Sequence, residues 1–166
     1  IIAPQNPIQQ KITNVEPYNY KEFKITPLAK FSAEARILSR KRYYFGRAAK
    51  LVPVDLALGW GAMSNESILK SIKFSQSNRF YFWFVKKFPI PKQEIITHSS
   101  NMHLIPANSD IRSKIKQARK GSLVKFSGYL VKATCDNDWH WNSSLRRDDV
   151  GNGACELVWV EEFESF

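Results

Sequence analysis

The sequence has none of the features that usually mark a membrane-spanning, metal-binding or repeat protein. No run of residues approaches the roughly 18 apolar positions that a membrane span needs. The two cysteines form no Cys-x-x-Cys pair, and the histidines and cysteines do not follow the spacing typical of a metal site. The chain contains no internal repeat and no low-complexity segment. We therefore predict a protein without a bound metal or cofactor.

What the chain does contain is a globular composition with a strong positive charge. Its 166 residues fit one domain, and 43% of them are hydrophobic and 13% aromatic, which argues against a disordered chain. The formal net charge is +10, so the expected partners are acidic: nucleic acid, an anionic membrane surface or an acidic protein. The charge alone does not select among them.

The amino-terminal residues indicate an arm. Residues 1–22 are polar, contain three prolines and show no regular period, so we predict an extended arm that docks on a partner. A single domain is expected over residues 23–166. The chain starts with Ile1-Ile2 rather than with methionine, as expected after cleavage of a signal peptide or after artificial trimming. We therefore expect that a signal or a membrane anchor could precede Ile1.

Hydrophobic periodicity predicts a mainly β domain with two short helices. One helix is expected at residues 65–73, with Ser64 before it as the cap. The other is expected within residues 109–121, where Ser109 is the cap and Gly121 ends the helix. In the second helix Ile111, Ile115 and Ala118 form the buried stripe. The strands are expected at residues 31–45, 79–87, 94–107, 122–135 and 155–164. The second of these, RFYFWFVKK, is apolar on both faces, so we expect it in the centre of the sheet.

The order of these elements is that of an OB-type barrel. Five strands with a helix between the third and the fourth follow that order, and Gly128 suits the bulge or bend that a small barrel requires. We therefore predict a single OB-like small β-barrel of the mainly β (α+β) class. A mixed α+β sheet with its helices on one face is the alternative.

Both cysteines lie in the segment between the last two predicted strands. A disulfide between Cys135 and Cys155 would close a loop of about twenty residues and stabilise the fold by roughly 3 kcal/mol in the chain-entropy model. Gly151 and Gly153 suit the tight return of the chain before the second cysteine. We predict this disulfide on the condition that the protein is exported.

The same segment is a candidate binding surface. It brings together aromatic, imidazole and guanidinium groups: Trp139, His140, Trp141, Arg146 and Arg147. Single-stranded nucleic acid is held by such a combination, and so are some sugars and acidic peptides. Loops between strands are also where OB barrels bind, although four aspartates in this segment dilute its positive charge.

A catalytic interpretation of the segment has less support. Ser143 or Ser144 could act as a nucleophile, with His140 as base and Asp148 or Asp149 as the group that orients the base. However, no strained nucleophile elbow of the Gly-x-Ser-x-Gly kind surrounds the serines. We therefore assign no catalytic residue, and a hydrolase that uses residues 139–149 stays an alternative.

Two further clusters have both a functional and a structural interpretation. His98 and His103 could join His140 in a zinc site, but their spacing does not require one, and packed or exposed histidines are commoner. The basic run at residues 40–42 precedes two tyrosines and could contact lipid headgroups or phosphates. An edge strand often carries such charges only to prevent edge pairing.

Four stretches of the sequence resemble, in order, the blocks of a known family. They are VDLALGWGAMSN (54–65), NMHLIPAN (101–108), GSLVKFSGYLV (121–131) and WHWNSSLRRDDVGNGACELVWVE (139–161). The family consists of small bacterial proteins of uncharacterised function that are exported or membrane-anchored. The resemblance covers residues 38–161 and leaves out the arm. It implies a Gram-negative envelope location and a signal or anchor upstream, and it assigns no catalytic residue.

Together these observations predict a non-enzymatic envelope protein that binds or scaffolds other components. We expect a periplasmic or outer-membrane-associated location and, as partners, other proteins of a multi-subunit assembly such as a secretion system. The extended arm favours this hypothesis because such arms often become ordered only on a partner. The alternatives are an OB-type module for single-stranded nucleic acid or another polyanion, and the hydrolase described above.

Overall fold

The chain folds into a mainly β structure, as the sequence predicts. The computed structural model describes residues 2–136, 138–148 and 155–166. Over these residues the chain forms ten β-strands, four short α-helices and one 3₁₀ turn, rather than the two helices predicted. None of the helices in this part of the chain is long and apolar enough to cross a membrane.

The elements alternate along the chain with short connections. The strands are β1 Ile8–Lys11, β2 Tyr18–Tyr20, β3 Phe23–Arg42, β4 Val54–Gly59, β5 Ile72–Ser77, β6 Phe80–Val85, β7 Ser99–Pro106, β8 Leu123–Thr134, β9 His140–Asn142 and β10 Glu156–Ser165. The helices are α1 Arg47–Leu51, α2 Glu66–Leu69, α3 Lys92–Thr97 and α4 Ser109–Gln117, and the 3₁₀ turn is Gly61–Ser64.

Five of the strands pair in a series that returns to its starting strand. β3 pairs with β4, β4 with β7, β7 with β10, β10 with β8, and β8 with β3. Only the β7–β10 ladder in this series is parallel. The length of β3 allows two of these ladders, because residues 24–36 face β8 while residues 36–42 face β4. β1, β2 and β9 extend the same eight-stranded sheet, whereas β5 and β6 form a separate two-stranded sheet.

The largest hydrophobic core lies between these five strands and α4. Alternate residues of each strand point into it, as expected for strands with one buried face. Ile111, Ile115 and Ala118 pack into the same core, which confirms the predicted stripe of the second helix. The cap of this helix is Asn108 rather than Ser109, since the Asn108 side chain accepts a 3.0 Å hydrogen bond from the Ile111 amide.

β8 and β10 approach each other closely at Gly128. A Cβ atom at this position would collide with the main-chain carbonyl oxygen of Trp159. The register of the ladder shifts between Val160 and Glu162, beside the same glycine. The irregularity predicted at Gly128 is therefore present, but the extra residue lies in the partner strand.

The amino-terminal segment lies against β3. β1 pairs with residues 29–32 and β2 with residues 23–25. Nearer the terminus, the Ala3 amide donates a 2.9 Å hydrogen bond to the Ser64 hydroxyl, and Ala3 is buried. Within residues 2–22, β1 and β2 are extended, and both pair with the chain's own sheet.

The strand predicted at residues 79–87 exists as β6, but its predicted central position is wrong. β6 pairs with β5 in a hairpin whose two-residue turn is Asn78-Arg79. Both turn residues have a positive φ, 51° and 69°, as a tight hairpin of type I′ requires. This local turn folds β6 back onto its neighbour in sequence and keeps it out of the eight-stranded sheet.

The strand predicted at residues 31–45 is β3, which begins earlier, at Phe23, and ends at Arg42. Two boundaries between a helix and a strand also differ from the sequence prediction. The helix predicted at residues 65–73 is shorter because the chain enters β5 at Ile72, and Asn65 rather than Ser64 caps it. The strand predicted at residues 94–107 begins only with β7, because the residues before it form α3. In both places a few apolar residues fit either a helix or a strand, and the packing against the sheet decides between them.

Candidate functional site

The two tryptophans of the candidate loop point to the same side and pack against the protein. β9 pairs with the end of β8, so Trp139 and Trp141 flank His140, which is exposed. The tryptophan rings meet edge to face with their centroids 6.3 Å apart. Trp139 also lies 5.3 Å from the ring of Phe23, and Trp141 lies 4.7 Å from that of His103. Half-buried rings of this kind offer little free face to a stacking ligand.

The two arginines of the candidate surface turn in different directions. The exposed Arg146 makes two hydrogen bonds to the carboxylate of Asp148, at 2.9 and 3.0 Å. Arg147 instead donates to the side-chain oxygen of Gln9 at 2.6 Å and lies 3.6 Å from the fully buried carboxylate of Glu156. The five residues predicted as one binding surface therefore do not form a single exposed face.

The two cysteines are not bonded to each other. The Ser143 amide donates to the Val131 carbonyl of β8, and the Ser144 amide donates to the Cys155 carbonyl before β10, at 3.0 and 2.9 Å. A segment of chain thus separates β8, which Cys135 follows, from the start of β10. Two strand spacings amount to about 9.6 Å, and a disulfide spans about 7 Å between Cα atoms at most. The predicted disulfide would require this segment to move, and it stays a prediction.

The hydroxyls of Ser143 and Ser144, the two candidate nucleophiles, form hydrogen bonds with main-chain groups. The Ser143 hydroxyl donates to the Ser144 carbonyl at 2.8 Å and accepts from a main-chain amide of β10 at 3.0 Å. The Ser144 hydroxyl donates to the Arg146 carbonyl at 3.0 Å. Both hydroxyls are buried, and their bonds hold the loop in shape. Asp149, one of the two candidate orienting residues, lies outside the described residues.

The three histidines lie in different environments. His98 Nδ1 is 2.9 Å from the Thr97 hydroxyl, His103 is buried beneath Trp141, and His140 is exposed. Within the described ranges, no group of three or more His, Cys, Asp or Glu side chains could hold a metal ion.

A buried polar cluster, which the sequence interpretation missed, lies on the outer face of β4 and β7. Asp55 is fully buried, and the register places His103 opposite it, with Nδ1 2.9 Å from Asp55 Oδ1. Arg79, from the turn of the β5–β6 hairpin, donates to the same oxygen at 2.8 Å. Asn101 donates to the Arg79 carbonyl at 3.1 Å. The sequence signal was the lone carboxylate of the apolar strand VDLALG, since such a group needs partners when buried.

Arg79 joins the hairpin to two other connections of the chain. Its guanidinium lies 3.8 Å from the ring centroid of Tyr43, which follows β3, and 5.2 Å from that of Trp141 in β9. It also donates to the Val52 carbonyl at 2.9 Å, and its amide donates to the Tyr43 hydroxyl at 2.9 Å. The hairpin turn thus fills the space between the β3–β4 and β8–β10 connections.

One face of the hairpin is anchored to the protein. Tyr81, Trp83 and Val85 pack against a second hydrophobic cluster beside β4. The Tyr81 hydroxyl donates a 3.1 Å hydrogen bond to Ser99, and burial raises the pKa of Tyr81 well above its usual range. This face explains why the hairpin is held in place although, in the described part of the chain, it pairs with no strand of the larger sheet.

The other face of the hairpin is an exposed aromatic surface. Phe80, Phe82 and Phe84 are 37%, 50% and 58% exposed and lie in a row along β6. Lys73 of β5 lies directly opposite Phe84. Because both faces of β6 are aromatic in sequence, the pattern of residues does not reveal which face is buried. We refer to Phe80, Phe82 and Phe84 as the phenylalanine row.

Comparisons with known proteins identify no relative. No protein-family model matches the chain, and no curated protein or solved structure matches it either. The resemblance of the four sequence blocks to exported bacterial proteins therefore stays a prediction.

Proposed function

We propose that β3, β4, β7, β8 and β10 form an OB-type barrel. The pairing series that returns to β3 supports this fold, and so does the position of α4 between β7 and β8. The close approach at Gly128 is also typical of small barrels, which coil their strands strongly.

In such a barrel the usual ligand face would be covered by the chain itself. OB barrels bind ligands over their second and third strands and the neighbouring loops, which here are β4, β7 and the connections beside them. The β5–β6 hairpin lies over this region, with Arg79 bonded to Asp55 and stacked on Tyr43 and Trp141. This arrangement weakens the hypothesis of a nucleic-acid module of the usual kind. It favours a binding surface on the hairpin instead.

We therefore propose that the protein is a non-enzymatic binding protein whose phenylalanine row docks on another protein. This proposal rests on one observation: three large apolar side chains lie in line on one face of β6, and all three are exposed. Burying a whole phenylalanine contributes about 1.5–3 kcal/mol, and the exposed parts of this row amount to about one and a half rings, so covering them would contribute about 2–4 kcal/mol in total. Contiguous exposed apolar surface of this kind usually marks an interaction site.

The main chain of β6 offers a second means of attachment. Within the described residues β6 pairs only with β5. In a hairpin with a two-residue turn, the residues that flank the turn, here Ser77 and Phe80, form a hydrogen-bonded pair. Pairs alternate along the ladder, so the main-chain amides and carbonyls of Tyr81, Trp83 and Val85 point away from β5. An extended segment of a partner can add to such an edge as a further strand.

The charge around the hairpin indicates what kind of partner segment fits. Lys73, Lys86 and Lys87 are exposed on or next to it, so an extended segment that carries acidic side chains is complementary. A second copy of this chain is a poor match, because it brings the same lysines and a formal charge of +10. We propose a heterologous partner for this reason.

The proposed setting is the envelope of a Gram-negative bacterium. The support comes from the sequence blocks 54–65, 101–108, 121–131 and 139–161, which imply export to the periplasm or the outer membrane. In this setting the protein would be an accessory subunit of a larger assembly such as a secretion system. The pairing of β1 and β2 with β3 occupies the arm, which is why docking is placed on the hairpin.

The experiment is position-specific photocrosslinking in intact cells. A photoreactive amino acid replaces Phe82 in one variant and the exposed Glu164 of β10 in a matched control. We expect a discrete crosslinked protein from position 82 and none of that mass from position 164. The purified partner should then bind Phe82→Ser about tenfold more weakly than the unchanged chain, since part of a buried phenylalanine is lost.

Two results would remove this proposal. One is an identical pattern of adducts from both positions, which would indicate random collisions. The other is a partner whose affinity is unchanged in Phe82→Ser while the variant keeps its thermal stability. A crosslinked homodimer would also contradict the heterologous partner, and size measurement of the purified chain would detect it.

A further inference from the structure

The connection between β3 and α1 exposes two aromatic side chains at its tip. Phe45 is 93% exposed and Tyr44 is 69% exposed, more than any other large apolar side chain in the described part of the chain. Their ring centroids lie 6.4 Å apart, and Gly46, with a φ of 91°, turns the chain into α1 directly afterwards. We refer to Tyr44 and Phe45 as the aromatic tip.

Positive side chains from three segments lie on or next to the connection that carries the aromatic tip. Arg42, the last residue of β3, places its guanidinium 4.7 Å from the ring centroid of the tip tyrosine. Arg47 and Lys50 of α1 lie 3.8 and 3.4 Å from the carboxylate of Glu22. Lys21, next in sequence to that glutamate, donates to the Lys50 carbonyl at 3.0 Å.

Helix α4 adds further positive charge to the same region. The Arg40 guanidinium donates to the Lys116 carbonyl at 2.8 Å, so the end of β3 and the last turn of α4 are in contact. Partial burial lowers the pKa of Lys116, and the nearby charges of Arg112 and Arg42 lower it further. The pKa of Lys21 is lowered in the same way, by partial burial and then by the charge of Arg112. These cations are therefore close enough to repel one another.

Several guanidinium groups of this region contain a hydrogen-bond donor without an acceptor. The buried Nε atoms of Arg40, Arg42 and Arg112 have no hydrogen-bond partner among the described residues. A buried donor without an acceptor is costly, and a guanidinium is well suited to phosphate oxygens. Because these Nε atoms are themselves buried, it is the crowding of the cations near the aromatic tip that indicates an anion here.

We infer that the aromatic tip and the cations of β3, α1 and α4 form a site that binds the surface of an anionic lipid membrane. The two rings enter the boundary between headgroups and acyl chains, where aromatic side chains are favoured. The arginines and lysines contact the lipid phosphates. The inference is independent of the proposed function because it involves neither β5 nor β6.

The form of the tip favours a membrane over a nucleic acid. Rings that stack on bases form part of a platform along a groove. Phe45 instead projects from a turn and is exposed over nearly its whole surface. An apolar group that projects from a region rich in cations matches the layering of a bilayer, with phosphates outside and hydrocarbon beneath.

The experiment is flotation of the whole chain with vesicles. One set contains phosphatidylcholine with about one third phosphatidylglycerol, and the other contains phosphatidylcholine alone. We expect binding to the first set only, with an affinity that falls when the salt rises from about 0.1 to 0.5 M. Phe45→Ser keeps every charge and should weaken binding at least tenfold, and Arg42→Gln should weaken it about fivefold. Phe166→Ser, which removes a 67% exposed ring just after β10, is the matched control and should bind like the unchanged chain.

Because the side chain of Phe45 is 93% exposed, Phe45→Ser should not unfold the protein. A thermal melt of the variant shows whether a loss of vesicle binding occurs in a folded chain. Absence of binding to the anionic vesicles overturns the inference. Equal binding of Phe45→Ser also overturns it, since attraction by charge alone does not need the aromatic tip. Tighter binding to a single-stranded oligonucleotide than to the vesicles, lost in Arg42→Gln, would assign the cations to nucleic acid instead.

Discussion

The replacement Arg79→Met tests whether the buried ion pair holds the hairpin over β4 and β7. It leaves the carboxylate of Asp55 fully buried, with His103 and Asn101 as its remaining polar neighbours. Removing one member of a buried ion pair costs about 3–5 kcal/mol. The methionine keeps part of the apolar contact with the two aromatic rings, so we expect a loss of about 3 kcal/mol in the free energy of unfolding.

Urea unfolding followed by tryptophan fluorescence measures this loss. For a chain of this size the urea dependence is about 2 kcal/mol per molar, so the midpoint should fall by about 1.5 M. Lys73→Met, on the exposed face of the same hairpin, is the control and should change the free energy of unfolding by less than about 0.5 kcal/mol.

A double-mutant cycle with Asp55→Asn then isolates the pair. Residues in one ion pair show interaction energies of about 0.5–3 kcal/mol, so the double variant should lose less stability than the two single variants together. Strict additivity, or an Arg79→Met midpoint equal to that of Lys73→Met, would refute the argument that this pair anchors the hairpin.

Three further predictions concern the sheet, a buried tyrosine and the cysteines. Gly128→Ala should lower the free energy of unfolding by about 3 kcal/mol or more, because the new Cβ meets the Trp159 carbonyl. Thermal unfolding of this variant, with Ser127→Ala as the control, measures the loss. Burial raises the pKa of Tyr81 above its ordinary 10.0, so its contribution to stability should be complete below pH 10 and be lost as the pH rises further, which urea midpoints between pH 8 and 11 measure against Tyr81→Phe. If the predicted disulfide forms on export, denatured protein from the periplasm has no reactive thiol, whereas two reactive thiols would show that Cys135 and Cys155 stay reduced.

The parts of the fold that depend on local patterns could be predicted from the sequence. The stripe Ile111, Ile115 and Ala118 follows from helical spacing, and the structure confirms that it is buried. The side-by-side direction of Trp139 and Trp141 follows from the two-residue period of a strand in the same way.

The parts of the fold that depend on contacts between distant residues could not be predicted from the sequence. A strand such as RFYFWFVKK is aromatic on both faces, and only the Asn78-Arg79 turn and the packing of Tyr81 determine which face is exposed. The Asp55–Arg79–His103 cluster joins three elements through sheet register, which no local pattern contains. The burial of Trp139 and Trp141 could not be predicted from the loop itself, because it comes from Phe23 and His103 elsewhere in the chain.

The two edges of β3 become covered at very different times when the chain is made or exported amino terminus first. One edge waits for β8, which begins only at Leu123, and a long alternating strand with an open edge invites pairing with other chains. The other edge is covered in part by β1 and β2, which precede β3 and pair with residues 29–32 and 23–25. Because these partners are made before β3 itself, we expect the amino-terminal segment to shield part of one edge of the new strand from pairing with other chains until β8 is made.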